Sequence, residues 1–297
     1  MLDKKTNDQI RKLPCWSGEI EITALAGGIT NRNYRVIDRG QQSFVVRIGR
    51  DIPEHGVLRF HELAAARAAH AAGISPEVVF AGDGCLVSRF VDGRTLTPED
   101  VRSPRNLERI VEVVRRCHRD IPRHFQGPAL IFWVFQVNRG YLRLLKDNDS
   151  NPFDIELDAL GLKNEQLERA LGAVTIVFGH NDLLAANLID DGTRLWLIDW
   201  DYAGFNSPLF DLANLASNNE LAPELESALL ESYFGKPVSA ENRRGFAAMK
   251  CASLLRESLW GAVSRITSTI DFDYTGYARQ YFGRFERMWR AFEAGHG

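Results

Sequence analysis

The chain has 297 residues, 45% hydrophobic and 25% charged, with a net charge of −3, so it is long enough for two lobes and a sizeable core. This mild acidity argues against a nucleic acid or an anionic membrane as the main partner and leaves a small cationic substrate open. Four scattered cysteines without a CxxC pair, and seven histidines without HxxxH or HExxH spacing, exclude the usual structural zinc patterns and read as thiols of a reducing compartment.

The opening MLDKKTNDQIRKL lacks the apolar run of a signal peptide, and the longest apolar stretch, Ala129 to Phe135, is too short to span a bilayer. A cytoplasmic enzyme without membrane insertion is expected. Residues 20–25, 33–37 and 44–48 read as strands joined by a Gly-containing turn at 26–31 and a turn at 38–40, an antiparallel meander. A helix is expected from about Pro53 to Ala72, stopped by Gly73, followed by strands at 78–81 and 85–91. Asp92-Gly93 marks a change to helical patterning. Ser103 and Pro104 suit the N-cap and first position of a helix whose apolar face is Leu107, Ile110, Val111, Val114 and Cys117. Further helices are expected at 132–147, 163–172, 208–218, 221–235, 240–267 and 275–293. The order predicts an α+β chain of two lobes, residues 1–92 and 93–297, the first a small antiparallel sheet and the second mainly helical.

Chemistry concentrates in GHNDLLAANLIDDGTRLWLIDWDYAG, which begins at Gly179. Asp182 and Asn187 stand five apart in a polar turn, and the apolar run from Leu195 to Ile198 delivers Asp199. Asn- and Asp-rich turns before strands are common for structural reasons. Here one Asp can accept a proton while the Asn and the second Asp ligate Mg²⁺, as phosphoryl transfer from a nucleotide requires. The pattern resembles the catalytic loop and metal-binding segment of kinases. His118-Arg119-Asp120 spells the protein-kinase tripeptide, but Phe125 stands where the metal-binding Asn should be, so it reads as a polar helix terminus.

The sheet region offers the nucleotide parts. Gly27-Gly28-Ile29-Thr30-Asn31 lies between two strands; Gly28 permits close approach, and Thr30, Asn31 and neighbouring amides can donate to phosphates. Arg47, a charge inside an apolar strand, is either on a solvated face or the cation for the α- and β-phosphates. Glu62 is its expected acid, with Glu54 the competitor at the helix start. The connector Leu86–Gly93, with Ser88 and Phe90, can offer backbone groups to an adenine edge.

The pieces GGITNRNYRV, FVVRIG, HNDLLAANLIDD, LIDWDYAGFNSPLFDLAN, LWG and FDYTGYA, spread over residues 27–278, resemble the choline/ethanolamine kinase group of the aminoglycoside-phosphotransferase-like superfamily. The resemblance implies a protein-kinase-like two-lobed fold, ATP and Mg²⁺ as cofactors and an alcohol acceptor. It makes Asp182 the base, Asn187 and Asp199 the metal ligands, and His180 and Asp211 structural, with Asp211 holding the catalytic loop. Asp201 would line the metal or acceptor site. Tyr202, Trp260, Tyr274 and Tyr277 fall where the family places its choline box, whereas Phe210 and Phe272 read as core. Departures are Val263, where the family often has a second Trp, and Asn218, where it has a Glu, with Glu220 near. Glu257 could supply compensating charge or form a surface salt bridge.

A small cationic amino alcohol is therefore the expected partner, choline first and ethanolamine second, held by aromatic faces. The alternatives are another alcohol kinase of the superfamily and a nucleotide-binding pseudokinase, against which the intact Asp182, Asn187 and Asp199 argue. Only 11 positions separate Asp199 from Asp211, too few for a protein kinase's activation loop.

Overall fold

A computed structural model describes residues 3–25, 31–82 and 84–296. In chain order the elements are α1 (Lys4–Arg11), β1 (Ile20–Leu25), β2 (Arg32–Asp38), β3 (Ser43–Ile48), α2 (Arg59–Ala71), β4 (Val78–Gly82), β5 (Cys85–Arg89), β6 (Arg94–Thr95), α3 (Pro98–Val101) and α4 (Pro104–Asp120). There follow α5 (Val134–Asp147), α6 (Leu157–Arg169), β7 (Val177–Gly179), β8 (Leu188–Asp190), β9 (Leu195–Leu197), β10 (Gly204–Asn206), α7 (Pro208–Asn218), α8 (Pro223–Phe234), α9 (Ala240–Thr267) and α10 (Tyr274–His296).

Alternation builds the first sheet, whose order is β1-β2-β3-β5-β4, antiparallel throughout. Phe44 and Val46 point into a small core with Tyr34, Val36, Val87 and Ile10. Period two turns Arg47 to the other face. The polar N-terminal segment is thus a helix, α1, and Ile10 is its anchor; burying that side chain contributes on the order of 2 kcal/mol. A second, larger core surrounds α9, which packs on α5, α7 and α10. Ala65, Ala66, Ala68 and Ala69 of α2 belong to this larger core, so α2 joins the sheet to the helical body.

Several boundaries differ from the sequence reading. The helix expected from Pro53 begins only at Arg59, because Pro53–His55 forms a 3₁₀ turn and Gly56 takes a left-handed φ of 70°. Gly73, also at φ 70°, ends α2 as expected. Helix α6 starts at Leu157, six residues before the expected 163. Ser103 has N-cap backbone geometry without a side-chain cap bond. Among the described residues no disulfide is present, and no helix is long and apolar enough to cross a membrane.

Candidate active site

The loop after β7 is held from below by Asp211, at the first turn of α7. Its Oδ2 accepts the His180 N–H at 2.8 Å and its Oδ1 the Asn181 N–H at 2.7 Å. Gly179 leaves the space this requires, since a Cβ there would sit 2.9 Å from Asn181 Oδ1 and 3.1 Å from Asp211 Oδ2. Asn181 adopts φ 65° and donates its amide to the Tyr202 and Gly204 carbonyls at 3.0 and 3.1 Å, tying the loop to the segment after Asp199. Asn214 Oδ1 accepts the Leu183 N–H.

His118 has a role that the sequence reading does not give it. The tripeptide does close α4 as a polar helix end, but His118 itself is buried, and its Nε2 lies 2.9 Å from Asp211 Oδ2 while Nδ1 meets the Tyr233 hydroxyl at 2.7 Å. Burial alone pushes the Asp211 carboxyl up, but the His118 hydrogen bond and the His180 N–H outweigh it and hold the carboxyl below its ordinary value.

His180 joins the loop to the next strand. Its Nε2 faces the Ile198 carbonyl at 2.9 Å and its Nδ1 faces the Asp182 N–H at 3.3 Å, which assigns the proton to Nε2. Burial depresses its basicity, so the ring is neutral. Asn187 donates Nδ2 to the Asp182 carbonyl at 2.9 Å, leaving Oδ1 as the atom with ligand capacity. Asp199 takes φ 70°, a left-handed conformation that costs on the order of 1–3 kcal/mol and clusters at functional sites. Its side chain is 41% exposed, and burial of the remainder together with the like charge of Asp201 pushes its carboxyl up to about 6.

From the sheet side, Arg47 contacts Glu62, Asp201 at 2.5 Å and Asp199 at 3.6 Å. Glu62, 3% exposed, is thus the acid beside Arg47, and Glu54 stands exposed on the 3₁₀ turn. A second guanidinium was not read from the sequence. Arg59 Nη1 lies 2.7 Å from both Glu62 Oε2 and Asp201 Oδ1, and its Nη2 is 2.7 Å from Asn31 Oδ1. Gly49 makes that reach possible, because a Cβ there would meet Asn31 Oδ1 at 2.7 Å and Arg59 Nη2 at 2.9 Å.

Asp201, expected to line the metal or acceptor site, is engaged by Arg47, Arg59 and the Asn31 amide in a charge knot beside Asp199. Burial raises its carboxyl, but the two arginines prevail and its pKa is lowered. Gly28 and Thr30 lie outside the described residues. The connector differs in detail as well. Ser88 pairs with Val45 and Val78 inside the sheet, and the Phe90 N–H donates to the Ser43 carbonyl at 3.0 Å.

The four expected aromatics come together. Trp260 Nε1 donates to the Tyr202 hydroxyl at 2.9 Å, and the Trp260 ring lies 5.9 Å from Tyr274 and 5.5 Å from Tyr277, edge to face. Phe210 is core, but Phe272 is 39% exposed at the rim of this cluster, because it precedes α10 in a loop. Glu257 is buried rather than in a surface salt bridge. It accepts from Arg256 Nη1 at 2.5 Å and from the Tyr277 hydroxyl at 2.8 Å. Arg256 is 2% exposed, stacks on Tyr202 with Cζ 4.2 Å from the ring centroid, and reaches Asp182 Oδ1 at 3.4 Å. Asp182 keeps a 16% exposed side chain toward the cleft. Burial of the rest pushes its carboxyl up to about 8, against the pull of Arg256 and with the push of Glu257 and Asp199.

The donors fit Mg²⁺. No group of three His, Cys, Asp or Glu poised for a metal occurs among the described residues. A hard ion that binds one or two protein oxygens plus phosphates needs none, and the Asp199 carboxylate and Asn187 Oδ1 are such oxygens.

A small antiparallel sheet over a helical body, with this loop in the cleft between them, is the architecture of the protein-kinase-like phosphotransferases. The family model for choline/ethanolamine kinase matches residues 22–228. LicA of Haemophilus influenzae is 30% identical over 211 residues, 70% of this chain and 61% of that protein, so the match spans less than two thirds of that relative. Ethanolamine kinase 2 of Homo sapiens is 30% identical over 305 residues, 91% of this chain and 77% of that protein. A solved choline/ethanolamine kinase family protein from Mesorhizobium loti superposes with a TM-score of 0.77 at 27% identity, covering 97% of this chain and 95% of that one. The chain belongs to the choline/ethanolamine kinase family.

Proposed function

We propose that the chain transfers the γ-phosphoryl group of ATP, with Mg²⁺, to the hydroxyl of choline or ethanolamine. Asp182, at the cleft beside the aromatic cluster, carries the reading: its carboxylate is the base that takes the acceptor proton. Asn187 and Asp199 would hold Mg²⁺, which supplies charge neutralisation to the transferring phosphoryl oxygens when bound. Arg47, aimed by Glu62, contributes the phosphate cation from the sheet side. His180 and Asp211 keep the loop in register and take no proton themselves. The Phe90 N–H is engaged with Ser43, so other backbone groups of the connector Leu86–Gly93 would meet the adenine edge.

Two lobes, 1–92 and 93–297, suit the two separate cores, with α2 spanning them. A cytoplasmic location and a small-molecule acceptor, with no nucleic-acid partner, suit the cysteine usage and the charge. The test is turnover of ATP with choline, with ethanolamine, with an aminoglycoside and with no acceptor. Phosphate-ester formation with an amino alcohol supports the reading. Nucleotide binding without any turnover would make the chain a pseudokinase, and a preference for the aminoglycoside would assign another acceptor class.

A further inference from the structure

The aromatic cluster of this chain already holds a cation, and it is the protein's own. Arg256 on α9 is buried, lies face-on to Tyr202 with Cζ 4.2 Å from the ring centroid, and has no acceptor for Nε or Nη2. That is the position a ligand ammonium would take over the same ring. Glu257 pins the guanidinium through Nη1 and is itself braced by the Tyr277 hydroxyl. The remaining rings offer little replacement. Trp260 meets Tyr274 and Tyr277 edge to face at 5.9 and 5.5 Å, which is direct ring-to-ring contact. A cation held between two ring faces would keep their centroids well beyond such contact.

What the pocket offers near Asp182 is polar. The Glu257 carboxylate is buried, and Arg256, which it binds, reaches the Asp182 carboxyl at 3.4 Å. Acceptors of this kind reward N–H donors and give nothing to a nitrogen covered by methyl groups.

We infer that Arg256 is a specificity-determining residue: a resident cation that occupies the Tyr202 face, so that the pocket selects acceptor ammoniums bearing N–H donors over quaternary ones. The inference rests on the amino-alcohol reading above. Arg256 also touches Asp182, so its charge faces both the Asp182 and the Glu257 carboxyls.

The test is kcat/KM of the parent for ethanolamine, its N-methyl and N,N-dimethyl derivatives, and choline. The value should fall with each methyl, by about tenfold or more across the series. Arg256→Met keeps apolar bulk and uncovers Tyr202; it should narrow the ethanolamine-to-choline ratio to within about threefold, mainly through KM, while affinity for a fluorescent ATP analogue stays at the parental value. Glu257→Gln should lower kcat/KM for ethanolamine more than for choline, and it serves should Arg256→Met fail to fold. A parent that uses choline as well as ethanolamine overturns the inference, as does an unchanged ratio in Arg256→Met. A parent that phosphorylates no member of the series but does phosphorylate another alcohol overturns the amino-alcohol reading itself.

Discussion

His118 Nε2 lies 2.9 Å from Asp211 Oδ2, across 93 residues of sequence, and through Asp211 it supports the two backbone N–H groups that set the catalytic loop. The pair is buried on both sides, so removing His118 leaves Asp211 Oδ2 with the His180 N–H alone.

His118→Leu should therefore destabilise the fold by about 1.5–3 kcal/mol, the usual range for a hydrogen bond to a charged group. Urea unfolding measures this as a lower midpoint. A midpoint equal to the parent's would show that Asp211 finds another donor.

Asp199→Asn should remove Mg²⁺-dependent nucleotide binding, because a neutral amide is a poor substitute for a carboxylate bridging a divalent ion to phosphates. Calorimetric titration with ATP, with and without Mg²⁺, reads the difference. Persistence of the metal effect would transfer the ligand role to Asp201.

Arg59→Ala should weaken ATP binding by roughly tenfold, on the order of 1.5 kcal/mol, since Asp201, Glu62 and Asn31 lose a shared charge-assisted donor and Arg47 is left to balance both acids. The effect should appear in KM for ATP, with KM for the acceptor unchanged. The reverse split would place Arg59 in the acceptor site.

His55 gives a pH signature. It is buried between the Tyr141 hydroxyl and Ser264, each 3.0 Å away, and burial, reinforced by the charge of Arg256, lowers its pKa to about 3. The unfolded chain binds a proton at this site below about 6.5 and the folded chain does not, so unfolding is favoured as pH falls. The stability from neutral His55 is complete above about 6.5 and lost progressively down to about 3. Tm measured between pH 7 and 4 should fall less steeply in His55→Gln than in the parent. Parallel curves would assign the acid sensitivity to other groups.

The local chemistry was legible in sequence wherever the partners sit close along the chain. Asp182, Asn187 and Asp199 lie within one short stretch between apolar strands, and strand alternation exposed Arg47 as an unusual charge. What escaped depends on side chains that meet only after folding. Arg59 reaches Asp201 across 142 residues and Arg256 reaches Asp182 across 74, and nothing in their immediate surroundings distinguishes them from other helical arginines. The neighbours of His118 form an incomplete motif, and nothing near it in sequence points to its partner Asp211 on another helix. Asp201 reads in sequence as lining the metal or acceptor site; that both its carboxylate oxygens are taken by Arg47, Arg59 and Asn31 depends on residues more than 140 positions away.

Asp182 is the proposed base for phosphoryl transfer to a small amino alcohol. Phosphorus NMR of the protein with ATP, Mg²⁺ and ethanolamine or choline tests it most directly, run beside Asp182→Asn. In the parent a new phosphomonoester resonance should grow with the ADP signals, and in the variant, which still binds ATP, its growth should slow by about 10²–10⁴-fold. An equal rate of ester formation by Asp182→Asn would contradict it.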